Sequence, residues 1–374
     1  MIKKILLFLL FTINFSYSQN IDSAYLETID SIRIDTSLTD SELFFKDSIA
    51  KLNQENLIFV NSRKEYNSGL ELFNNGNSKD AIVNFTNAIF IDSSFSEAYF
   101  YRGKCYELFD TSLAILDYQI AFSLDSMNLS PLYSVAKIQS NLDINKAIKV
   151  YNSIISYNSE ESKAYYEIGV LFYRKHNIDS AIQFFTNSIE LNKDPRAFND
   201  RASCYRVLDS TDLAIKDYLK AITLNPELTF IYNNLASAYR KQGDSEKALS
   251  YYSLAISKDK NCVLAYNNRG SLYLDLNDLD KALNDIEIAI SINKDYSLAY
   301  NNKGVIFHRQ EKYAEALSCF DKAITLNNNY AKAYLNRGIT RQMMRDEYDA
   351  CNDWMKAKEL GINIANKYLV NDCN

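Results

Sequence analysis

Apolar, small and polar positions recur along this chain at a fixed interval of 34 residues. Ile231-Tyr232-Asn233-Asn234-Leu235-Ala236 becomes Ala265-Tyr266-Asn267-Asn268-Arg269-Gly270. It returns as Ala299-Tyr300-Asn301-Asn302-Lys303-Gly304, then as Ala333-Tyr334-Leu335-Asn336-Arg337-Gly338. Two later registers keep step: Ala248, Ala282, Ala316 and Ala350, then Ala255, Ala289, Ala323 and Ala357. Within one unit, Tyr266, Arg269, Gly270 and Tyr273 share one helical stripe, and Ala282, Ile286 and Ala289 share another. The polar run Asp275 to Asp280 separates them. The spacing predicts helix A, a short turn, helix B and a polar connector such as Asn293-Lys294-Asp295. Self-similarity at this period predicts a stack of helix pairs.

Six of the nine glycines fall at one repeat position: Gly69, Gly103, Gly169, Gly270, Gly304 and Gly338. A mid-helix glycine costs about 1 kcal/mol against alanine. Close approach of helix A to helix B is the simplest compensation, with Gly270 facing the stripe of Ala282.

The unit resembles the tetratricopeptide repeat. That family carries an aromatic at position 4, Leu and Gly at 7 and 8, Tyr at 11, Ala at 20, Phe or Tyr at 24, Ala at 27 and Pro at 32. The repeat beginning at Pro195 matches with Phe198, Ala202, Tyr205, Ala214, Tyr218, Ala221 and Pro226. The resemblance implies an all-α solenoid, a right-handed superhelix of antiparallel helix pairs. Repeat starts fall at 62, 96, 129, 162, 195, 229, 263, 297 and 331, giving nine units over 62–361. The third unit departs most, with Gln139 in place of an aromatic and Ile154 in place of a small residue. In the second and third units helix B comes one residue early, which predicts a shorter turn. Gly361 stops the last repeat, and 362–374 reads as a capping helix and tail.

Residues 1–18 read as a signal peptide. Lys3 and Lys4 precede an apolar run from Ile5 to Phe15, and Ser16 and Ser18 are spaced for cleavage before Gln19. The alternative is an uncleaved anchor, against which the run's length argues, since a span needs about 20 residues. Localisation is therefore expected to be exported, periplasmic or extracellular. The leader 19–61 matches no repeat. Thr39 and Glu42 suggest a capping box. Leu43, Phe44, Ile49, Leu52 and Leu57 suggest a helix near 40–60 covering the first repeat.

Removal of residues 1–18 leaves 39 basic against 47 acidic side chains, a net charge of −8. No basic stripe accompanies it, which argues against a nucleic-acid partner. No later stretch is apolar enough to cross a membrane. His176 and His308 lie in different repeats without companion ligands, so no metal or other cofactor is expected. Neither a phosphate-cradling loop nor a nucleophile elbow is visible, so the chain reads as non-catalytic. Cys105 and Cys204 share one repeat position and read as buried apolar residues. Cys351 and Cys373 lie at similar distances either side of Gly361, so antiparallel helices would bring them level for a disulfide. A free thiol on a frayed tail is the alternative.

Helix A positions 2, 5, 6, 9 and 12 form a stripe, which the resemblance places on the concave groove. Position 5 is Tyr66, Phe100, Tyr133 and Tyr166, then Asn199, Asn233, Asn267 and Asn301. Position 6 is Asn234, Asn268, Asn302 and Asn336 in the last four units. These residues are the candidate peptide-binding groove. The position 6 ladder resembles one in the superhelical repeats of O-GlcNAc transferase. The family's carboxylate clamp needs Lys at 5 with Asn at 9, and no unit has that pair. Two alternatives stay open for the asparagines: contact with a peptide backbone, or bonds to neighbouring helices. Three functions follow: a scaffold binding a peptide or partner segment, a structural subunit of an envelope or secretion assembly, and an enzyme with a site assembled between repeats.

Overall fold

The computed structural model describes residues 40–373, and every regular element among them is an α-helix. The expected signal peptide and the leader through Thr39, with Thr39 of the expected capping box, lie outside the described residues. Two compact units form, divided between Leu124 and Asp125. The first holds α1 (Asp40–Asn74), α2 (Ser78–Ile91), α3 (Ser96–Tyr106) and α4 (Thr111–Leu124). The second opens with the pairs α5 (Ser130–Leu142) and α6 (Ile144–Tyr157), α7 (Ser162–Arg174) and α8 (Ile178–Leu191), and α9 (Pro195–Val207) and α10 (Thr211–Leu224). It continues with α11 (Thr229–Gln242) and α12 (Ser245–Lys258), α13 (Val263–Asp275) and α14 (Leu279–Ile292), and α15 (Ser297–Arg309) and α16 (Tyr313–Leu326). It closes with α17 (Ala331–Met343), α18 (Glu347–Glu359) and α19 (Ala365–Asp372). The repeated A and B helices are those read from the sequence.

The leader helix departs from expectation in two ways. No break separates it from the first repeat, because α1 runs unbroken for 35 residues. Nor does it cover that repeat: residues 44–61 are all exposed. Phe44, Ile49, Leu52 and Leu57 are spaced by five, three and five, which scatters them around a helix. A packing helix needs them on one stripe.

In six of the nine repeats the A–B crossing is set by a glycine against one large side chain, and Ala136, Ala202 and Ala236 take its place in the other three. A Cβ on Gly304 would stand 2.6 Å from the Phe320 ring, and one on Gly169 would stand 2.7 Å from Phe185. In the last repeat Gly338 faces Trp354 at the same distance as Gly304 faces Phe320, 2.6 Å. The alanines at positions 20 and 27, such as Ala282 and Ala289, are fully buried beside these contacts. The third repeat keeps its packing, because Ile154 is fully buried. Its Gln139 leaves a buried side-chain oxygen with no hydrogen-bond partner.

The A–B turns explain several polar residues. Gly76, His176, Asp209, Gly243, Asn277, Glu311 and Arg345 all have positive φ, and all fall at position 15 of their repeats. The second and third repeats lack such a residue. The third has the shorter turn expected, Asp143 alone, but the second does not: its helix A ends sooner, at Tyr106, and 107–110 lead into helix B. His176 is thus a turn residue. A Cβ in this left-handed conformation costs about 1–2 kcal/mol, and glycine avoids it. Glycine also loses more chain entropy on folding, about 0.5–1 kcal/mol. Glu311→Gly (φ 61) is therefore expected to stabilise by a net 0.5–1 kcal/mol or so. A thermal melt checks this. A fall in the midpoint would show that the Glu311 side chain contributes more than the strain it imposes.

At the carboxyl end Gly361 adopts φ 94 and turns the chain out of α18. Tyr368 of α19 stacks on Trp354 at 4.9 Å between ring centroids. Cys351 and Cys373 are disulfide-bonded, with Cα atoms 5.8 Å apart. A bridge closing a loop of this size is worth about 2–4 kcal/mol. In the second unit the neighbouring A helices α7, α9, α11, α13, α15 and α17 touch directly, and the B helices make no comparable approach. The stack therefore curves with its A helices inside.

Candidate functional site

The inner face of the second unit is built on asparagines. Asn234 Nδ2 donates to Asn199 Oδ1 at 3.0 Å, and Asn268 to Asn233 at 3.0 Å. Asn302 donates to Asn267 at 3.0 Å, and Asn336 to Asn301 at 2.9 Å. Each bond joins position 6 of one repeat to position 5 of the repeat before. The row ends on acid: Asn199 Nδ2 donates to Asp200 Oδ1 at 2.8 Å, and the Tyr166 hydroxyl donates to Asp200 Oδ2 at 2.7 Å.

This geometry corrects the position 5 reading. Asn199, Asn233, Asn267 and Asn301 are only 3–6% exposed. They lie beneath the groove, where their carbonyls register one repeat on the next. The position 5 aromatics also pack between helices. Tyr66 is buried 4.8 Å from Phe95 and 5.8 Å from Phe85, centroid to centroid. In the same unit Phe100 lies 5.5 Å from Tyr118. In the second unit Tyr133 lies 6.1 Å from Tyr151 and Tyr166 5.7 Å from Phe185. The reason is positional: position 5 lies at the edge of the A stripe, between helix B of its own repeat and helix A of the next. Position 6 stays half-buried. A primary amide has two N–H donors and a carbonyl with two lone pairs. One donor of each position 6 asparagine is committed to the neighbouring repeat, and the Asn268 and Asn302 carbonyls each accept a long bond, 3.5 Å, from Asn267 and Asn301; one donor and at least one lone pair stay open on Asn234, Asn268, Asn302 and Asn336.

The equivalents of position 6 in earlier repeats are Glu167 and Asp200. Burial raises the Glu167 carboxyl, opposed by the nearby charges of Lys163 and Arg196. Burial likewise raises Asp200, opposed by its bonds from Tyr166 and Asn199. A carboxyl with a raised folded-state pKa binds its proton more tightly in the native state. It therefore favours folding most at low pH, and that contribution fades as pH rises through the raised value. Asp200→Asn, which extends the amide row, is expected to flatten this part of the pH–stability profile and to leave neutral-pH stability equal or higher. Urea midpoints at acid and neutral pH check it. A loss confined to neutral pH would mean the charged carboxylate is the favoured form.

Two sets of ties hold the repeats in register, and neither was read from the sequence. Arg102, Arg201, Arg269 and Arg337, at position 7, each grip a buried aspartate on their own helix B. The partners are Asp117, Asp217, Asp285 and Asp353, bound bidentately at 2.6–3.0 Å. A third nitrogen of each reaches helix B of the previous repeat, to Thr86, Thr186, Ser253 and Asp321 at 2.6–3.1 Å. Bonds to Asp285 hold the Arg269 guanidinium protonated more firmly than usual, against the effect of burial. The second set sits at the carboxyl ends of the A helices. Arg174, Lys241 and Arg309 donate to the carbonyls of Ser140, Arg206 and Leu274 in the repeat before, at 3.0, 2.8 and 2.6 Å. Cations are favourable at helix C-termini. The signal for the first set was present, since Arg at position 7 is always followed by Asp 15 or 16 residues later.

His308 Nδ1 lies 3.0 Å from Thr340 Oγ1, and burial first, then Arg309, lowers its pKa. Among the described residues no group of three His, Cys, Asp or Glu side chains is placed to hold a metal ion. None of the described helices is long and apolar enough to cross a membrane.

Stacked helix pairs with a polar inner row define a helical-repeat protein. Models described as tetratricopeptide repeat match residues 162–195, 195–228, 217–250, 263–296 and 297–330. Residues 162–250 and 263–330 are thus tetratricopeptide repeats. The chain is 30% identical over 133 residues to a TPR repeat-containing protein, MJ1428, of Methanocaldococcus jannaschii, covering 35% of this chain and 23% of that protein. It is 38% identical over 61 residues to Hsp70-Hsp90 organizing protein 2 of Arabidopsis thaliana, covering 16% and 11%. The chain thus matches less than a quarter of the length of either relative. A tetratricopeptide repeat protein from Parabacteroides merdae superposes with a TM-score of 0.56 at 18% identity, covering 66% of this chain and 98% of that one. The APC/C hetero-tetramer Cut9-Hcn1 gives 0.56 at 14% identity, covering 84% and 76%. These structures share the fold. Such repeats generally form non-catalytic protein-interaction scaffolds.

Proposed function

We propose that this chain is a non-catalytic, exported scaffold that binds an extended segment of a partner protein along the inner face of its second unit. The row Asn234, Asn268, Asn302 and Asn336 carries this reading. Its uncommitted donors and acceptors match the C=O and N–H groups of an extended backbone. Export is supported by Lys3, Lys4 and the apolar run after them, and by a Cys351–Cys373 bridge of the kind that persists in oxidising compartments. Site-specific photo-crosslinking in the native cell is the test. A crosslinker at Ser271, on helix A of the inner face, should capture a partner. One at Leu254, exposed on helix B, should not. Capture from Leu254 alone would overturn the groove reading.

The exposed Phe44, Phe45, Ile49, Leu52, Leu57 and Phe59 of α1 favour a second reading, a subunit docked in an envelope or secretion assembly. Leu57 stands apart, but Phe45, Ile49, Leu52 and Phe59 fall within about 80° of one another around the helix, and an exposed apolar stripe of this kind marks an interaction surface. Loss of copurifying proteins on deletion of 19–61, with Ser271 crosslinking nothing, would establish it over the first.

A further inference from the structure

The groove is asymmetric across its width, and this deepens the groove reading above, on which the present inference rests. Four residues before the asparagines, at position 2, stand Phe230, Leu264 and Leu298. They are 42%, 51% and 43% exposed. They occupy the same stripe of α11, α13 and α15 as Asn234, Asn268 and Asn302, one turn nearer the helix amino termini. Large apolar side chains left open at the same position of three successive repeats form a strip, not scattered exposure.

The opposite edge, at positions 12 and 13, is cationic. It carries Arg174, Arg206, Arg240, Lys241 and Arg309. Arg240 pairs with Asp275 and Lys241 with Asp209. Arg174 and Arg309 meet only backbone carbonyls, and among the described residues no carboxylate comes within ion-pair distance of Arg174, Arg206 or Arg309. This chain has more acidic than basic side chains, yet it leaves three guanidiniums along one edge without an anionic partner. A guanidinium presents five N–H donors in a fork that fits a carboxylate bidentately.

An extended strand laid on the amides points successive side chains to opposite sides. One side would meet Phe230, Leu264 and Leu298, and the other Arg206 and Arg309. We propose that the bound segment is an extended acidic strand in which apolar and carboxylate side chains alternate. The strips are continuous and bear no deep pockets, so the alternation is read and the identity of each residue is not. Specificity comes from the period-two pattern and from its charge.

Fluorescence polarisation of the intact chain with labelled twelve-residue peptides tests this. The probes are alternating leucine and aspartate, the same residues segregated into two blocks, and alternating leucine and lysine. The first should bind about tenfold or more tightly than either other, since misplaced like charges oppose docking. Its affinity should fall as salt rises. Arg206→Gln with Arg309→Gln should abolish the preference for aspartate over lysine. Phe230→Ser with Leu264→Ser and Leu298→Ser should remove the preference for alternation over blocks. All five side chains are at least partly exposed, and an unchanged melting temperature verifies the fold. Equal or tighter binding of the lysine or block peptide overturns the proposal while leaving a peptide groove. Failure of all three peptides overturns it too, and capture from Ser271 then decides whether the groove reading also falls.

Discussion

Arg269→Ala is expected to cost about 3–5 kcal/mol, the usual penalty for stranding one partner of a buried ion pair. The loss exceeds that of an ordinary surface pair because Asp285 is almost fully buried and both its oxygens accept from this one guanidinium. Ser253, on the previous repeat, loses its contact at the same time. The damage should therefore spread across two repeats. Hydrogen exchange checks it: amides of α12, α13 and α14 should lose protection together while α5 and α6 keep theirs. Arg269→Met with Asp285→Leu should recover most of the loss, because an apolar pair leaves no charge buried. Protection unchanged in the single variant would show that Asp285 finds another partner.

The second large effect is expected from the combined variant Asn233→Ala, Asn267→Ala and Asn301→Ala. It removes three buried acceptors and leaves the Nδ2 groups of Asn268, Asn302 and Asn336 without their bonds. Each buried amide bond is worth about 0.5–1.5 kcal/mol. Because the three lie on one connected row, their losses need not add. A total of about 2–4 kcal/mol is expected. Equilibrium urea unfolding measures it. A change below about 0.5 kcal/mol would mean the row contributes nothing to stability and is available in full to a ligand.

Much of the fold was legible because each repeat meets the same packing problem. Gly304 against Phe320 and Ala316 beneath them recur at fixed spacing, and a repeated contact needs a repeated residue. The shorter turn of the third repeat was legible from the early arrival of Ala147; the early Ala114 of the second is taken up by a shorter helix A instead. The leader was not, since the exposed residues of α1 satisfy no internal contact and so follow no period. The candidate site was half legible. Spacing put position 6 on a helical stripe, and the resemblance put that stripe on the concave face. That position 5 lies buried beneath it depends on how one repeat sits on the next, which a single unit does not encode. The ties were missed for a related reason. Arg201, Arg269 and Arg337 recur every 68 residues, as Lys241 and Arg309 do. A search at 34 sees them as noise.

That doubled interval bears on how the second unit would respond to being pulled. The guanidinium ties fasten repeat four to five, six to seven and eight to nine. The cations at the helix ends fasten the joints between, three to four, five to six and seven to eight. At one kind of joint the crossing bond comes from a guanidinium already anchored on a buried aspartate of its own repeat; at the other it comes from exposed cations, Lys241 reaching both the Arg206 carbonyl and Asp209, whose bonds water replaces at less cost. In a linear array whose stability is a sum over neighbours, the exposed joints yield first. Under tension applied at its ends, the stack should lengthen in strides of two repeats, paying out about 68 residues at a time.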